Sequence, residues 1–330
     1  MERKNAQEST EKSKVFQIPI EDFENSMNTE SAKEKKKEIL ELFTTYNKLR
    51  SKEEFDYIED ELHEACREGD LEMIKIFLSE TIEDSTNTLK FKIDETNQTA
   101  SLFKVENGIE EVNIPRTIEH ESTEYLITSI ICTRYDVKTV KFSEDSAVKT
   151  FYRDAFFGSK IESIYFPSSL KELKEGWCNE TKYLKRIIIS PSNCQYEFKE
   201  DKYLICKSDS NNDEFDKLLF VRRDIDEFSI PSNIKIISSS AFSSSNIKTI
   251  FIPSSVSKIC DSAFSNCENL HKVEIPTNSN LQTIESNAFS SSNIESIFIP
   301  SSVSKICEYA FSDCENLHKV EIPTNSNLQT

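Results

Sequence analysis

Cysteine and histidine are the residues of this sequence that could do chemistry, as metal ligands, nucleophiles or bases. Nine cysteines and four histidines occur among 330 residues. A zinc or redox site usually shows a C-x-x-C pair, because two thiolates must lie within one coordination shell. No such pair occurs at Cys66, Cys132, Cys178, Cys194 or Cys206. The odd total of cysteines is typical of a reducing compartment.

The remaining cysteines and two of the histidines recur at a single interval. The pairs, each separated by 47 residues, are Cys260 with Cys307, Cys267 with Cys314, and His271 with His318. Such pairs are copies of one position in a repeat, so solvated histidines are expected, and a catalytic pair is the alternative. For Cys267 we expect a small buried thiol, and a ligand or a bridge is the alternative. His63 and His120 lie far from these pairs in the chain.

The sequence also lacks the motifs of common catalytic and cofactor sites. Its four glycines are too few for a phosphate loop or a dinucleotide fingerprint, each of which needs several glycines in a short window. No nucleophile, base and orienting group occur together. We therefore expect no enzyme activity, no cofactor, no metal and no small-molecule substrate.

One acidic segment could suggest a calcium site. Its carboxylates are Asp209, Asp213, Glu214 and Asp216. Their spacing departs from the D-x-[DN]-x-[DN]-G loop and the glycine is absent, so a solvated turn is favoured. The apolar runs on either side, 203–206 and 218–221, predict a β-hairpin insert at about 195–221 that projects from the rest of the fold.

The interval of 47 residues belongs to an internal repeat. Residues 241–283 and 288–330 differ at five of 43 positions. The period of 47 divides into half-units of 23 and 24 residues that open with I-x-x-I-x-I-P. A period of this length is typical of a repeat protein, in which each unit packs against its neighbours. The third apolar position of the opening occurs at residues 114, 142, 166, 189, 230, 252, 275, 299 and 322. We therefore predict about nine coils within residues 89–330.

Each coil must place its apolar residues on a short strand. The I-x-I alternation, rich in β-branched residues, predicts a strand with one buried face, which the following proline ends. An Ala-Phe pair recurs at 155/156, 241/242, 263/264, 288/289 and 310/311, with Trp177 in the equivalent place of another unit. These rings are expected to fill the side of the coil opposite the strand. One coil alone cannot offset about 1 to 2 kcal/mol of backbone entropy per residue, so the coils must stack.

With P-S-S-V-x-x-I-x-x-x-A-F-x-x-C-x-x-L after the opening, the units resemble the leucine-rich repeat of the BspA-like surface antigens of bacteria and protists. The resemblance covers about residues 89 to 330. It implies an α+β fold, a curved leucine-rich repeat solenoid with parallel strands on its concave face, here preceded by a small helical region. It also implies protein binding, often in adhesion, and brings no catalytic residues.

The segment upstream of the repeats has a helical pattern. Residues 1–30 are polar without periodicity and are predicted to be disordered. From Ser31, a capping box with Glu34 begins an amphipathic helix. Its apolar face consists of Ile39, Leu42, Phe43, Tyr46 and Leu49.

Residues 62–79 resemble a single ankyrin repeat. The packing positions are Leu62, Ala65, Ile74 and Leu78, with Gly69 at the turn. One such unit cannot bury its own apolar face. We therefore expect residues 31–88 to form a helical cap over the first coil, and a partner-binding ankyrin array is the alternative.

Charge and hydropathy restrict the partners. The net charge is −18, and phosphate binding needs a basic face, so nucleic acid is not expected as a partner. No window approaches 18 consecutive apolar residues, so neither a membrane span nor a secretory signal is expected, and the cytosol is the default location.

The last coil stops half-way at Thr330 without a polar cap. A fragment of a longer protein, or an end that a partner covers, would account for this.

The outward positions of the strands define a candidate protein-binding surface. Two aromatic residues, Phe251 and Phe298, interrupt an otherwise polar column. They are interpreted either as shields for the sheet or as anchors for a protein partner, with neighbouring charges supplying selectivity. The predicted partner-binding residues are Phe251, Phe298, Tyr165, Ile188, Lys272, Glu274, Lys319 and Glu321.

The sequence therefore predicts a non-enzymatic protein-interaction module, which by resemblance is an adhesin-like surface antigen. The alternative is an intracellular scaffold or regulatory binding protein that uses both the helical and the repeat regions. Glycosylation acceptors at Asn97 and Asn179 discriminate between them, because their occupancy would show passage through the secretory route.

Overall fold

A computed structural model describes residues 37–39, 41–42, 62, 65–66, 70–86, 88–106, 108–131, 137–209 and 213–328. The chain divides into two units, Met1–Glu80 and Thr81–Thr330. The predicted disorder of residues 1–30 lies outside the described residues. So do Phe43, Tyr46 and Leu49 of the first predicted helix.

The described residues of the first unit are helical, apart from Asp70, Ser79 and Glu80. Helix α1 spans Leu71–Leu78, and the carboxylate of its N-cap residue Asp70 accepts a hydrogen bond from the Met73 amide at 3.0 Å. An ion pair of 2.8 Å joins Lys75 to Glu38, which is also helical. The buried side chains are Ile39, Leu62, Ala65, Cys66, Met73, Ile74 and Phe77. The described helical residues of the first unit thus include several buried apolar side chains.

Short β-strands make up the second unit. In chain order they are β1 (Glu80–Glu83), β2 (Leu89–Asp94), β3 (Thr99–Val105), β4 (Glu111–Ile114), β5 (Thr117–His120), β6 (Thr123–Ile130), β7 (Thr139–Phe142), β8 (Thr150–Phe151), β9 (Ser163–Phe166), β10 (Glu172–Leu173), β11 (Arg186–Ile189), β12 (Tyr196–Lys199), β13 (Tyr203–Cys206), β14 (Lys217–Val221), β15 (Ile236–Ile237), β16 (Thr249–Phe251), β17 (Lys258–Ile259), β18 (Lys272–Glu274), β19 (Thr283–Ile284), β20 (Ser296–Phe298), β21 (Lys305–Ile306) and β22 (Lys319–Glu321). They form four sheets.

Two of these sheets consist of the predicted I-x-I strands, all parallel. Their orders are β4-β7-β9-β11 and β16-β18-β20-β22, with one strand from each coil. Eight of the nine predicted openings are therefore strands. The ninth, at 225–230, contributes only a single bridge between Glu227 and Thr249. The predicted solenoid with parallel strands is confirmed, and its strand face is interrupted at this one coil.

A second ladder of parallel strands runs along the same coils and was missing from the sequence prediction. Strands β8, β10, β15, β17, β19 and β21 contain two residues each. They pair in register in two runs, β8 with β10 before the insert and β15-β17-β19-β21 after it. In β17, for example, Ile259 is fully buried and Lys258 is half-buried. A strand with a single buried residue shows no alternation, so no periodic signal reveals it.

The sheet that contains β8 and β10 is extended on its N-terminal side by antiparallel strands rather than by helices alone. Strands β2 and β3 pair antiparallel, and β3 pairs parallel with β6. Leu89, Phe91 and Ile93 of β2 are all buried in the repeat core. This corrects two expectations. The region 31–88 is not wholly helical, because β1 lies within it, and the first residues after 88 form a hairpin rather than a repeat coil.

The long insert does not project from the coils. Strands β12, β13 and β14 are antiparallel neighbours, and β14 continues into the second ladder through a parallel pairing with β15. Leu204 and Phe220 belong to one apolar core, whereas Tyr203 and Val221 belong to another. Because both faces of β13 and β14 are buried, the insert forms a wall between two halves of the core.

A buried arginine fastens this wall to the coils on both sides. Arg223 follows β14 and is 1% exposed. Its guanidinium donates to the carbonyl oxygens of Ala241 at 2.7 Å, Ser240 at 2.9 Å and Cys178 at 3.4 Å. Its charged plane also lies 4.7 Å from the centre of the Phe220 ring. Burial lowers the pKa of Arg223, as desolvation disfavours the charged form.

The phenylalanine rings of the last four Ala-Phe pairs form a continuous stack on the side of the coils away from the I-x-I strands. Phe242, Phe264, Phe289 and Phe311 follow one another with ring centres 4.6, 5.0 and 5.4 Å apart. The first three rings are fully buried and the last is half-buried. Equivalent positions in successive coils are thus joined by direct ring contacts, as expected for units that pack against their neighbours.

Candidate functional site

The predicted binding residues lie on the outward side of the I-x-I strands, a surface that we call the outer strand face. Successive side chains of a strand point to opposite faces, so the residues between the buried positions point outward. The column consists of Asn113, Lys141, Tyr165, Ile188, Ser229, Phe251, Glu274, Phe298 and Glu321. Phe251 is 51% exposed and Ile188 is 40% exposed, whereas Tyr165 and Phe298 are half-buried.

Strand pairing divides the eight predicted residues into two groups. Tyr165 and Ile188 are register partners in β9 and β11. The other six lie on the sheet β16-β18-β20-β22, where Phe251 pairs with Glu274 and Phe298 with Glu321. Lys272 forms an ion pair with Glu274 on its own strand, and Lys319 does the same with Glu321. The rings of Phe251 and Phe298 therefore lie beside carboxylates that already have a cationic partner.

A pocket of about 520 Å³ opens at the interrupted coil, next to Phe251. Its walls include Glu200, Lys202, Tyr203, Glu227, Phe228 and Phe251. Three of these six residues are aromatic and three are charged. The pocket exists because the coil at 225–230 leaves the strand ladder and the insert turn approaches from the other side.

The aromatic floor of the pocket is fixed by core packing. The rings of Tyr203 and Phe228 lie edge to face with centres 5.3 Å apart, and Phe228 packs on Phe242 at 5.8 Å. Burial raises the pKa of the Tyr203 phenol, and the nearby Glu200 carboxylate raises it further. Phe251, at the rim, has freedom to contact a ligand because half of its surface is exposed.

The charged wall of the pocket is held by a tight turn between β12 and β13. Glu200 and Asp201 both have left-handed backbone angles, with φ of 52° and 53°. The Lys202 amide donates to the Lys199 carbonyl at 2.8 Å and closes the turn. Arg222 anchors it, since its guanidinium donates to the Asp201 carbonyl at 2.9 Å and to the Asp201 carboxylate at 3.2 Å. Such a turn positions Glu200 and Lys202 with little freedom of the backbone.

The geometry of the coils is that of a known repeat family. The family model for the BspA type leucine rich repeat region matches residues 100–207 and 213–330, in six copies. The chain belongs to the BspA-type leucine-rich repeat family. The match covers the coils on both sides of the pocket. It begins at residue 100, so it gives no support to the ankyrin-like interpretation of residues 62–79.

Several solved structures resemble this BspA-type chain. The pneumococcal vaccine antigen PcpA is 15% identical, with a TM-score of 0.41, covering 75% of this chain and 82% of that one. A leucine-rich cell surface protein from Faecalibacterium prausnitzii is 19% identical, with a TM-score of 0.42, covering 74% and 94%. A leucine-rich repeat protein from Eubacterium ventriosum is 18% identical, with a TM-score of 0.42, covering 74% and 86%. No curated protein matches the chain.

The acidic segment of this BspA-type chain differs from the predicted solvated turn in one residue. Asp209, Asp213 and Glu214 are exposed, but Asp216 is 1% exposed. Asp216 accepts a hydrogen bond from the Ser208 amide at 2.9 Å and pairs with Lys235 at 3.1 Å. Burial alone would raise the pKa of Asp216, but these contacts outweigh it and lower the pKa. Asp216 thus closes the insert loop.

Cys66, Cys178, Cys260 and Cys267 of the BspA-type chain are buried packing residues. Within the described ranges every cysteine is a free thiol, and no group of three or more His, Cys, Asp and Glu side chains is placed to hold a metal. Cys267 is fully buried, and its thiol donates to the Phe242 carbonyl at 3.1 Å. Burial raises the pKa of Cys178 to about 11 and that of Cys260 to about 12. Such thiols are poor nucleophiles.

No helix in the described part of the chain is long and apolar enough to cross a membrane.

The helical residues that could pack in an ankyrin-like way include Ile74, which is fully buried, and Leu78, which is only half-buried. Phe77 and Met73 complete the buried side of α1. The apolar side of this helix is therefore centred nearer Phe77 than the ankyrin pattern predicts.

Sequence reasoning found one wall of the pocket and missed the rest. Phe251 was predicted as a binding residue, but Glu200, Lys202, Tyr203 and Phe228 were not. The available signal was the step of 41 residues between positions 189 and 230, against 22 to 24 in most other coils. A long step in a regular array indicates that the coil on one side has lost its neighbour, and this is where the pocket forms.

Proposed function

We propose that this BspA-type leucine-rich repeat chain is a non-enzymatic protein-interaction module that binds a protein partner through its outer strand face, in an adhesin-like role. The observation that carries the proposal is Phe251, a large aromatic side chain that is 51% exposed on a sheet face. Exposed aromatics beside a pocket are typical anchors of protein interfaces, because they supply contact area with little side-chain entropy.

Other features of the face support this function. Phe251 and Phe298 lie on strands β16 and β20, with β18 between them, so their backbones are about 10 Å apart. One strand or loop of a partner can therefore contact both rings. Lys272 with Glu274, and Lys319 with Glu321, form a polar border around these rings, as is typical of the rim of an interface.

An intracellular scaffold or regulatory protein is the second candidate function. The observation in its favour is the division of the chain into two units, the first of which has buried apolar side chains among its described helical residues. A chain with two such units can bind two different partners. The proposed ankyrin-like role of residues 62–79 belongs to this candidate alone.

The test places a photo-crosslinking phenylalanine analogue at position 298 of the full chain. As a matched control the same analogue replaces Tyr309, an aromatic residue that is 67% exposed but lies off the outer strand face. We expect a defined protein adduct from position 298 and none from position 309, identified by mass spectrometry in extracts of the source cells. Equal adducts from both positions, or none from position 298, would refute binding through this face.

A further inference from the structure

We propose that the pocket at the interrupted coil binds a lysine or arginine side chain of the protein partner. The cation would lie between the rings of Tyr203, Phe228 and Phe251 and the carboxylates of Glu200 and Glu227. This inference rests on the proposed function, because it names the chemistry that the partner must present to the outer strand face.

Aromatic rings and carboxylates together favour a cation over a neutral apolar group. The faces of aromatic rings carry negative charge density, so an ammonium or guanidinium group within about 6 Å of a ring centre is attracted to it. The same rings pack against the methylene stem of a lysine or arginine. A pocket of about 520 Å³ is ample for one such side chain.

The carboxylates of the pocket differ from those that form ion pairs between neighbouring coils. Examples of such pairs are Lys138 with Glu110 at 2.6 Å and Lys248 with Asp226 at 2.9 Å. Within the described ranges, neither Glu200 nor Glu227 forms an ion pair of this kind. Both side chains are exposed. Their charges are therefore available to a partner at no cost in broken ion pairs.

Lys202 lies in the same wall and also forms no ion pair among the described residues. Two carboxylates and one ammonium group leave the pocket with an excess of one negative charge. The whole chain carries a net charge of −18, and a negative protein attracts basic partners over distances up to the Debye length. Charge complementarity therefore favours a basic side chain over an acidic one that would pair with Lys202.

The backbone that presents Glu200 is prepared for such a role. Two successive residues other than glycine, Glu200 and Asp201, adopt left-handed angles, which costs free energy that the surrounding contacts must offset. Arg222 holds the turn through Asp201 and pairs with Asp224 at 2.8 Å. A carboxylate on a fixed turn loses less conformational entropy on binding a cation than one on a mobile loop.

The experiment uses the full chain with isotope-labelled phenylalanine and two probes, acetyl-Gly-Arg-Gly-amide and acetyl-Gly-Glu-Gly-amide. We expect the arginine peptide to shift the ring resonances of Phe251 and Phe228. Phe298 is the internal control, because it occupies the equivalent strand position two coils away from the pocket. Its resonances should not move.

Four variants test which groups recognise the probe. Glu200→Gln and Glu227→Gln should each weaken arginine-peptide binding by about two- to fivefold, the effect of one exposed ion pair. Glu315→Gln, an exposed carboxylate outside the pocket and outside the proposed binding residues, and Tyr309→Ala should leave the affinity for the arginine peptide unchanged. Raising the salt concentration should weaken binding to the parent more than to the Glu227→Gln variant.

Two results would overturn the inference. Shifts caused by the glutamate peptide and not by the arginine peptide would identify Lys202 as the recognising group. The absence of shifts with either peptide would show that the pocket binds neither class of side chain. Failure of the pocket is separable from failure of the proposed function. A partner that crosslinks at position 298 and binds the Glu200→Gln and Glu227→Gln variants normally would leave the function intact.

Discussion

Replacement of Phe264 by alanine tests whether the ring stack, rather than the outer strand face, holds the coils together. Phe264 is fully buried, and its ring lies between Phe242 at 4.6 Å and Phe289 at 5.0 Å. Removing a buried phenylalanine loses its transfer free energy and leaves a cavity, which together cost about 3 to 5 kcal/mol. Because both ring contacts are lost as well, we expect a value in the upper part of that range.

Two other phenylalanines provide the comparison. Phe311 ends the stack, is half-buried and contacts one ring at 5.4 Å, so Phe311→Ala should cost about 2 kcal/mol. Phe251 is 51% exposed, so Phe251→Ala should cost under about 1 kcal/mol. The order Phe264, Phe311, Phe251 follows from burial alone.

The assay is denaturant unfolding followed in two ways. Far-UV circular dichroism reports all the strands, whereas fluorescence reports Trp177, the single tryptophan of the chain. Trp177 belongs to the first of the two apolar cores, and Phe264 to the second. If the insert couples the two cores, both signals should shift together in Phe264→Ala. A cost for Phe264→Ala no greater than that for Phe251→Ala would refute the account of the stack.

Three further predictions follow from buried and exposed groups. Contacts from Ser208 and Lys235 lower the pKa of Asp216 despite its burial. The Asp216 carboxylate therefore stabilises the folded protein above the unfolded pKa of about 4, and this stabilisation is lost as pH falls. Acid unfolding of Asp216→Asn should be less pH-dependent than that of the parent. Cys194 is exposed, and Cys194→Ser should remove one fast-reacting thiol in the native protein, as measured with a chromogenic disulfide. If the chain has an adhesin-like role outside the cell, mass spectrometry should find a glycan on Asn97, which is exposed in the turn between β2 and β3; an unmodified Asn97 would favour the intracellular scaffold.

The strands that alternate buried and exposed residues could be predicted from the sequence, and those that do not alternate could not. The I-x-I openings predicted strands β4, β7, β9, β11, β16, β18, β20 and β22, because Ile250 and its equivalents mark one buried face. The second ladder has strands of two residues, such as Lys258–Ile259, which carry no periodic signal. Only the stacking of coils reveals them.

The two apolar runs around the acidic segment predict a β-hairpin, but they do not show whether it projects from the coils. Leu204 and Leu218 are both fully buried, yet they belong to different cores. A run of apolar residues without alternation is typical of a strand buried on both faces. That pattern in residues 203–206 and 218–221 was the available signal for an internal wall. The sequence alone could not show which coils the wall would separate.

The candidate site combines a predictable part with one that depends on the tertiary fold. Phe251 and Phe298 could be placed on the outer strand face by counting positions. The pocket could not be predicted, because Glu200 and Phe251 are about 50 residues apart in the chain and meet only after the insert has paired with the second ladder. Contacts across such a separation follow from packing and not from local pattern.

The affinity of the crosslinked partner for a double variant tests the central claim most directly. Phe251→Ala with Phe298→Ala removes both aromatic anchors of the outer strand face, and Tyr309→Ala removes an exposed ring elsewhere as a control. An aromatic anchor typically contributes about 2 kcal/mol or more, which is about 30-fold in affinity, so the double variant should lose on the order of 1,000-fold. Its melting curve should stay close to that of the parent. If the double variant binds the partner as tightly as the parent does, the two rings only shield the sheet, and the outer strand face is not the binding site.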